Sequence, residues 1–286
     1  MRLDDGALRV AAPAKLNLDL LVGPRRDDGF HELDSLVAKV TLYDDLVLRS
    51  RADGRITLSC RGADCGPDEE NLALRAARRL AAEAERTVGA DVELIKSIPP
   101  GRGLGGGSSD AAAVLRGLRA LWDLALPESR LSEIAAELGS DVPVFLGPAA
   151  SRMTGRGERV APADVPAFVA MVHLPEMACS TAEVYRRFDE LGQGSAGAPR
   201  RRIDRRGGAW AEGLRNDLTA AALDACESLR RRVEQLGEAF GPGLHLTGSG
   251  SAVFVLCEDE GEAIERLRRL PDRLRRRTVL VRRNPW

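Results

Sequence analysis

Four apolar residues, Leu72, Ala76, Leu80 and Ala84, recur at every fourth position and predict an amphipathic helix over residues 71–85. Ahead of it, residues 8–22 and 36–60 are rich in Val, Leu and Ile with turn signals between them, and read as strands. Residues 92–98 form a further strand that runs into a glycine-rich stretch. Helices follow at 109–121 and 131–138, the second ending at Gly139. This intermixed first half is expected to form one domain over residues 1–152, with a second over 153–286. The second opens with a strand at 168–173 and a helix at 181–191, for which Ser180 is a natural N-cap. A long helix at 216–237, a strand pair within 244–257, a helix at 260–270 and a closing strand at 277–283 complete it. Residues 192–208 are a polar glycine–arginine loop, readable as solvated surface or as a lid that touches substrate phosphates.

The glycine-rich stretch, PPGRGLGGGSSDAAA over residues 99–113, carries the strongest chemical signal. Glycine lets a backbone approach a ligand closely and take positive φ. Ser-Ser-Asp is good N-cap material, and three alanines then propagate a helix. A helix N-terminus presents unpaired N–H groups and the positive end of its dipole, so the stretch reads as an anion cradle, most naturally for nucleotide phosphates. It is not a Walker loop, which needs Gly-Lys-Ser/Thr where this chain has no lysine. Gly101, Gly103 and Gly106 match the dinucleotide spacing, but Pro99-Pro100 intervene after the strand and the loop lies far from the N-terminus. The protein-kinase signatures HRD and DFG do not occur.

Composition narrows the class. At 286 residues the chain is near the length where a single core divides, and 44% hydrophobic content can fill two. A net charge of −1 sets up no global field that would draw nucleic acid or a membrane surface. The five cysteines are odd in number and scattered, which argues against a disulfide framework. Cys60 and Cys65 lack the second pair or nearby histidine that a zinc site needs. The N-terminal residues lack a hydrophobic signal core and no 18-residue apolar run occurs, so the chain reads as cytoplasmic. Lysine occurs only at 15, 39 and 96 within 42 basic residues, which makes a lysine in a motif more informative than an arginine run.

Two residues stand out as candidates, each with an ordinary reading beside it. Asp141 sits in Gly139-Ser140-Asp141-Val142-Pro143, where Pro143 disfavours helix at Val142 and the segment is expected to turn. Such a turn can hold a carboxylate toward a cleft, though an aspartate there more often braces the turn itself. Lys15 lies within an apolar strand, where a lysine usually faces outward. His173 and His245 lie beside apolar residues and read as structural.

Several segments, in order, resemble the GHMP kinases, small-molecule kinases that include galactokinase, homoserine kinase and mevalonate kinase. PPGRGLGGGSSDAA resembles their motif two, and TGSGSAVF (247–254) their motif three. APAKLNLDLLVGPRRDDGFHEL (12–33), LGSDVPVFL (138–146), STAEVY (180–185) and NDL (216–218) resemble the substrate and catalytic segments of one branch, whose acceptor is a cytidine diphosphate-linked methylerythritol. Phe30 stands where that branch usually has tyrosine, and Lys39 makes residues 36–46 less apolar than its norm.

The resemblance implies an α+β fold of two domains, the first like domain 2 of ribosomal protein S5 and the second ferredoxin-like, with the active site between them. It implies ATP, as its Mg2+ complex, and a small-molecule acceptor. Pro99, Gly101, Gly103, Leu104 and Gly105 would bind ATP, together with Gly106, Gly107, Ser108 and Ser109. Lys15 and Asp141 would act on the acceptor hydroxyl, a nearby ammonium lowering the cost of an alkoxide. Asn17, Phe30, His31, Thr181 and Tyr185 would bind the acceptor, Phe30 and Tyr185 sandwiching a cytosine whose edge His31 reads. Gly248, Ser249 and Gly250 would shape the cleft near the phosphates. No metal-ligating residue is assigned. The alternatives are another GHMP kinase, of mevalonate or homoserine type, and a catalytically inactive GHMP-fold binding protein.

Overall fold

The computed structural model describes residues 1–63, 65–192, 213–241 and 243–285. Two sheets organise it. The first contains β1 (Leu8–Arg25), β2 (His31–Arg51), β3 (Ile56–Gly62), β4 (Gly89–Lys96), β5 (Ala150–Gly155) and β6 (Arg159–Pro162). The spatial order is β3-β4-β2-β5-β6, with β1 also paired to β2, and only β3–β4 is parallel. β2 is 21 residues long and serves three partners, β1, β4 and β5. Helices α1 (Leu72–Ala81), α2 (Gly106–Leu121), α3 (Glu128–Leu138) and α4 (Val142–Leu146) pack with this sheet. Leu46, Leu48, Leu80, Val92, Leu94, Leu115 and Leu118 fill the space between them at no more than 1% exposure.

The second sheet comprises β7 (Val169–His173), β8 (Leu244–Leu246), β9 (Val253–Cys257) and β10 (Thr278–Arg282), wholly antiparallel in the order β10-β7-β9-β8. Helices α5 (Thr181–Leu191), α6 (Thr219–Ala225) and α7 (Glu227–Phe240) lie between β7 and β8 in the chain, and α8 (Glu260–Arg269) and α9 (Asp272–Arg275) between β9 and β10. This order, with the first and third strands central, is the expected ferredoxin-like arrangement. A third cluster joins the halves: Ala14, Leu16, Leu18, Ala38 and Val40 of the first sheet pack with Ala170, Val172, Phe254 and Val281 of the second.

The structure moves several expected boundaries. The first sheet runs to Pro162, so the boundary expected at residue 152 falls inside β5. The run at 36–60 is broken by a turn at Gly54, whose φ is 73°. The helix expected at 216–237 is two helices, because Cys226 takes φ −135° and ψ 92° as the C-cap of α6 and the N-cap of α7. Pro143 lies in the first turn of α4, where its missing N–H would be unpaired anyway. Cys60 and Cys65 are bonded to each other, a single local bridge and not a framework. In the loop at 192–208, everything past Gly192 lies outside the described residues.

His173 is a satisfied core residue at 0% exposure. The Thr278 hydroxyl donates to Leu274 O at 2.8 Å, so His173 Nδ1, 3.0 Å from that hydroxyl, carries the ring proton. Nε2 is left to accept from Arg232 Nη1 at 3.2 Å. Burial, then the charges of Arg232 and Arg277, hold the imidazole pKa down at about 4 from 6.5. The unfolded chain therefore binds a proton across that window which the folded chain excludes, and stability falls as pH drops through it, by ~3 kcal/mol once below both values. His173→Gln keeps a donor and an acceptor but does not titrate. Urea unfolding from about pH 7 to about pH 4.5 should show a smaller loss in the variant, and parallel losses would remove this role.

Candidate active site

The two halves meet where the glycine loop crosses the turn between β8 and β9. Gly103 has φ 73°, and a Cβ there would lie 2.1 Å from Thr247 O. The Thr247 hydroxyl donates to Gly103 O at 3.3 Å and accepts from Asn17 N at 3.0 Å. Ala252 N donates to Arg102 O, and the Arg102 guanidinium donates to Pro175 O at 2.9 Å and Glu176 O at 2.5 Å. Gly248 packs 3.3 Å, Cβ position to Cα, from Gly103. Gly250 lies at the far side of the same turn, and Ser249 Oγ pairs with Thr181 Oγ1 at 2.9 Å.

The loop ends as the start of α2. That helix begins at Gly106, with Gly105 as its N-cap at φ 68°, three residues earlier than the sequence suggests. Ser108, Ser109 and Asp110 are therefore inside the helix and cap nothing. Gly105 and Gly106 are glycine for reasons of packing as well as approach. Added Cβ atoms would lie 2.8 Å from the Phe145 ring and 2.9 Å from Ile98 Cγ2. Gly107 has open space, with Leu72 nearest at 3.8 Å. Leu104 is core at 1% exposure and receives Lys15 N on its carbonyl, Pro99 is half-buried, and Gly101 lines the cleft. The first-turn N–H groups of α2 face no carbonyl within the helix, which is what an anion site requires.

Lys15 does not face outward. It is 3% exposed, and its Nζ donates to Asn17 Oδ1 and stands 3.5 Å from Asp141 Oδ2. Asn17 is fixed in turn, its Nδ2 donating to Ser35 Oγ at 2.8 Å, and that hydroxyl to Asp19 O at 2.7 Å. Asp141 occupies the N-cap position of α4, yet its carboxylate makes no capping bond and stays 38% exposed. The carboxylate is thus used on Lys15 and the cleft rather than on its own helix. Lys15, Asn17, Asp141, Gly101, Gly103, Gly105 and Ser249 border a cavity of about 160 Å³.

Asp141, Thr181 and Tyr185 also line a larger adjoining cavity of about 700 Å³. Phe30 stands on its rim at 49% exposure, with the Arg156 guanidinium 4.9 Å from its ring centroid. His31 is 6% exposed, stacks on Tyr185 at 5.1 Å and places Nε2 2.7 Å from Asp189 Oδ1. Nε2 is therefore engaged, and in the neutral tautomer only Nδ1 remains to accept a bond. Burial, and then the charge of Asp141, raise the Tyr185 phenol above its ordinary value. Ser108 and Ser140 complete the wall on the glycine-loop side.

Sequence reading missed part of this site. Asp189 follows Tyr185 by four residues on α5, the spacing that puts both on one helix face, and this signal was available. Arg25 and Arg156 line the large cavity without an ion pair among the described residues, but nothing local in the sequence separates them from other arginines. Lys96 is 7% exposed, 2.5 Å from Asp44 Oδ2 and 2.8 Å from Asp110 Oδ2. Asp44 Oδ1 accepts from Ser97 N and Ile98 N at 2.5 and 2.8 Å, so this cluster braces the strand end ahead of the glycine loop. Burial and the nearby Asp44 raise the Asp110 carboxyl, against the pull of Lys96.

Comparison with known proteins agrees with the geometry. Residues 71–148 match the family model for the GHMP kinases N terminal domain, and residues 200–276 that for the GHMP kinases C terminal domain. A 4-diphosphocytidyl-2-C-methyl-D-erythritol kinase of Neisseria meningitidis serogroup B is 35% identical over 272 residues, covering 95% of this chain and 94% of that one. A kinase of the same name from Symbiobacterium thermophilum is 39% identical, covering 92% and 96%. A crystal structure of 4-(cytidine 5'-diphospho)-2C-methyl-D-erythritol kinase superposes with a TM-score of 0.79 at 34% identity, over 96% of this chain and 98% of that one. Homoserine kinase from Cytophaga hutchinsonii shares the fold at a TM-score of 0.65 and 15% identity. A shared fold is held by relatives acting on different acceptors, but the much higher identity runs across both domains with one group, and the chain belongs to the GHMP kinases, in the branch of the 4-diphosphocytidyl-2-C-methyl-D-erythritol kinases.

Proposed function

We infer that this chain transfers the γ-phosphoryl group of ATP to the 2-hydroxyl of 4-diphosphocytidyl-2-C-methyl-D-erythritol, a step of the non-mevalonate isoprenoid pathway, and that it does so in the cytoplasm. The observation that carries the reading is the Lys15–Asp141 pair, whose aspartate borders both cavities while free of capping duty. Asp141 takes the hydroxyl proton as the acceptor oxygen bonds to the γ-phosphorus and the bond to the β-phosphate oxygen breaks, releasing ADP. Lys15 Nζ, held by Asn17, stands where the alkoxide charge develops. The α2 N-terminus and the glycine loop hold the donor phosphates through backbone N–H groups.

Among the described residues no group of three or more His, Cys, Asp and Glu side chains could hold a metal. A Mg2+ would arrive on the ATP phosphates, and the Ser108 hydroxyl at the cavity wall is the protein group we assign to hold it. When bound, the ion neutralises phosphate charge. The large cavity suits the cytidine diphosphate end of the acceptor, with Phe30 and Tyr185 offering aromatic surface. His31 Nδ1 accepts from the cytosine amino group, where uracil would present a carbonyl oxygen. Arg25 and Arg156 supply positive charge for the diphosphate.

ADP release measured with the cytidine-linked acceptor, mevalonate and homoserine should be dependent on the first alone, and release with either of the others instead would move the chain to another acceptor class. Calorimetric titration should find CDP tighter than UDP, and Phe30→Ala should lose about 1–3 kcal/mol of CDP binding. Equal affinity for the two nucleotides would remove base reading by His31.

Asp141→Asn should lower turnover by about 10²–10⁴-fold, with ATP and acceptor binding retained. Lys15→Ala should cost a comparable factor, and the double variant should be little worse than the worse single, because the two act as one unit. Steady-state kinetics with circular dichroism as a fold control decide this. Near-normal turnover in Asp141→Asn would end the general-base assignment, and strictly multiplicative losses would end the coupling.

A further inference from the structure

Lys39 is a buried ammonium that the reaction described above does not use. It lies on β2 directly opposite Lys15 in the β1–β2 ladder. Its neighbours Val37, Ala38 and Val40 are core residues at no more than 1% exposure, and an apolar side chain would suit the position. Instead Lys39, 5% exposed, donates from Nζ to Phe145 O at 3.1 Å and Gly147 O at 2.6 Å. Among the described residues it forms no ion pair with a carboxylate. Burial, and then the charge of Arg116, pull it down to about 8. A cation so placed is unfavourable unless the carbonyls it binds need it.

Those carbonyls close α4, the five-residue helix that opens at Asp141. Arg116 Nη2 also donates to this end, at Leu146 O. A helix this short has no stability of its own and moves as a unit. Its two ends are therefore held by two lysines that face each other across one strand pair, Lys15 at the aspartate and Lys39 at the carbonyl end.

We propose that Lys39 is a positioning residue for phosphoryl transfer, fixing the register of α4 on β2 and so the distance from Asp141 to Lys15 and the acceptor hydroxyl. The proposal rests on the reading of Asp141 as the base. A carboxylate displaced by about 1 Å from its working position loses on the order of 10²-fold in rate while the binding surfaces stay intact.

The test is steady-state kinetics on the full chain with ATP and the cytidine-linked acceptor, comparing wild type with Lys39→Met, Lys39→Arg and Asp141→Asn. Lys39→Met should lower kcat by about 10- to 100-fold with both KM values within about twofold of wild type. Lys39→Arg, which can still donate to two carbonyls, should recover most of the loss. Should Lys39→Met fail to fold, Lys39→Leu, which likewise removes the donor, provides the same comparison of kcat with KM. Wild-type kcat in Lys39→Met or Lys39→Leu, with or without a lower melting temperature, overturns the proposal. So does a Lys39→Arg enzyme no better than Lys39→Met. An active Asp141→Asn enzyme would instead show that the base assignment had failed, whereas an inactive one beside a fully active Lys39→Met would overturn only the role of Lys39.

Discussion

The contact on which the rest depends is the crossing of Gly103 over Thr247. Two backbones approach there to a separation that no Cβ allows, and the Thr247 hydroxyl links the crossing to Asn17. Because the glycine loop leads into α2 on one side and motif three joins β8 to β9 on the other, this contact sets the two domains against each other. It also sets the cleft. Lys15 hangs from Leu104 O through its backbone, Asn17 from Thr247, and Thr181 from Ser249, so donor loop, catalytic lysine and acceptor helix share one reference point. Van der Waals exclusion at a single glycine thus determines distances that the chemistry requires.

The chain divides its cations by type. All three lysines are buried, at 3%, 5% and 7% exposure, and all three hold elements that meet around the cleft. Lys15 faces Asp141, Lys39 the end of α4, and Lys96 the pair Asp44 and Asp110 ahead of the glycine loop. Arginine does the surface work, in pairs such as Arg78–Glu69 and Arg230–Glu234 that are exposed, screened by solvent and individually worth little. A compact ammonium on a slender stem reaches carbonyl and carboxylate oxygens between packed elements.

Much of the fold was legible in the chain because local signals agreed with it. Helix α1 follows the four-residue apolar repeat, Ser180 caps α5 through Glu183 N, and the strand pair around Gly248–Ser251 is β8 and β9. What was not legible depended on distant partners. Strand β5 alternates buried and half-buried residues from Ser151 to Gly155, but it is short, β6 beyond it is mostly exposed, and the pairing of β5 with β2 is set more than a hundred residues away. The early start of α2 follows from Gly105 taking positive φ against Phe145, and the break at Cys226 interrupts an otherwise even helical pattern. In the candidate site, the motif positions come together, while the loss of His31 Nε2 to Asp189 and the placing of Arg25 and Arg156 are tertiary facts.

The central strand has a consequence for how the chain is made. β2 is complete about a hundred residues before β5, one of its three partners, and the bridge from Val40 to Arg283 waits until β10 has been made. At ordinary elongation speeds the apolar side formed by Ala14, Leu16, Leu18, Ala38 and Val40 stays uncovered for on the order of ten seconds. Over that interval a half-built sheet presents to the cell a greasy surface whose proper cover has not yet been translated. A cleft shared between two domains thus carries a kinetic cost: neither domain is finished until both are.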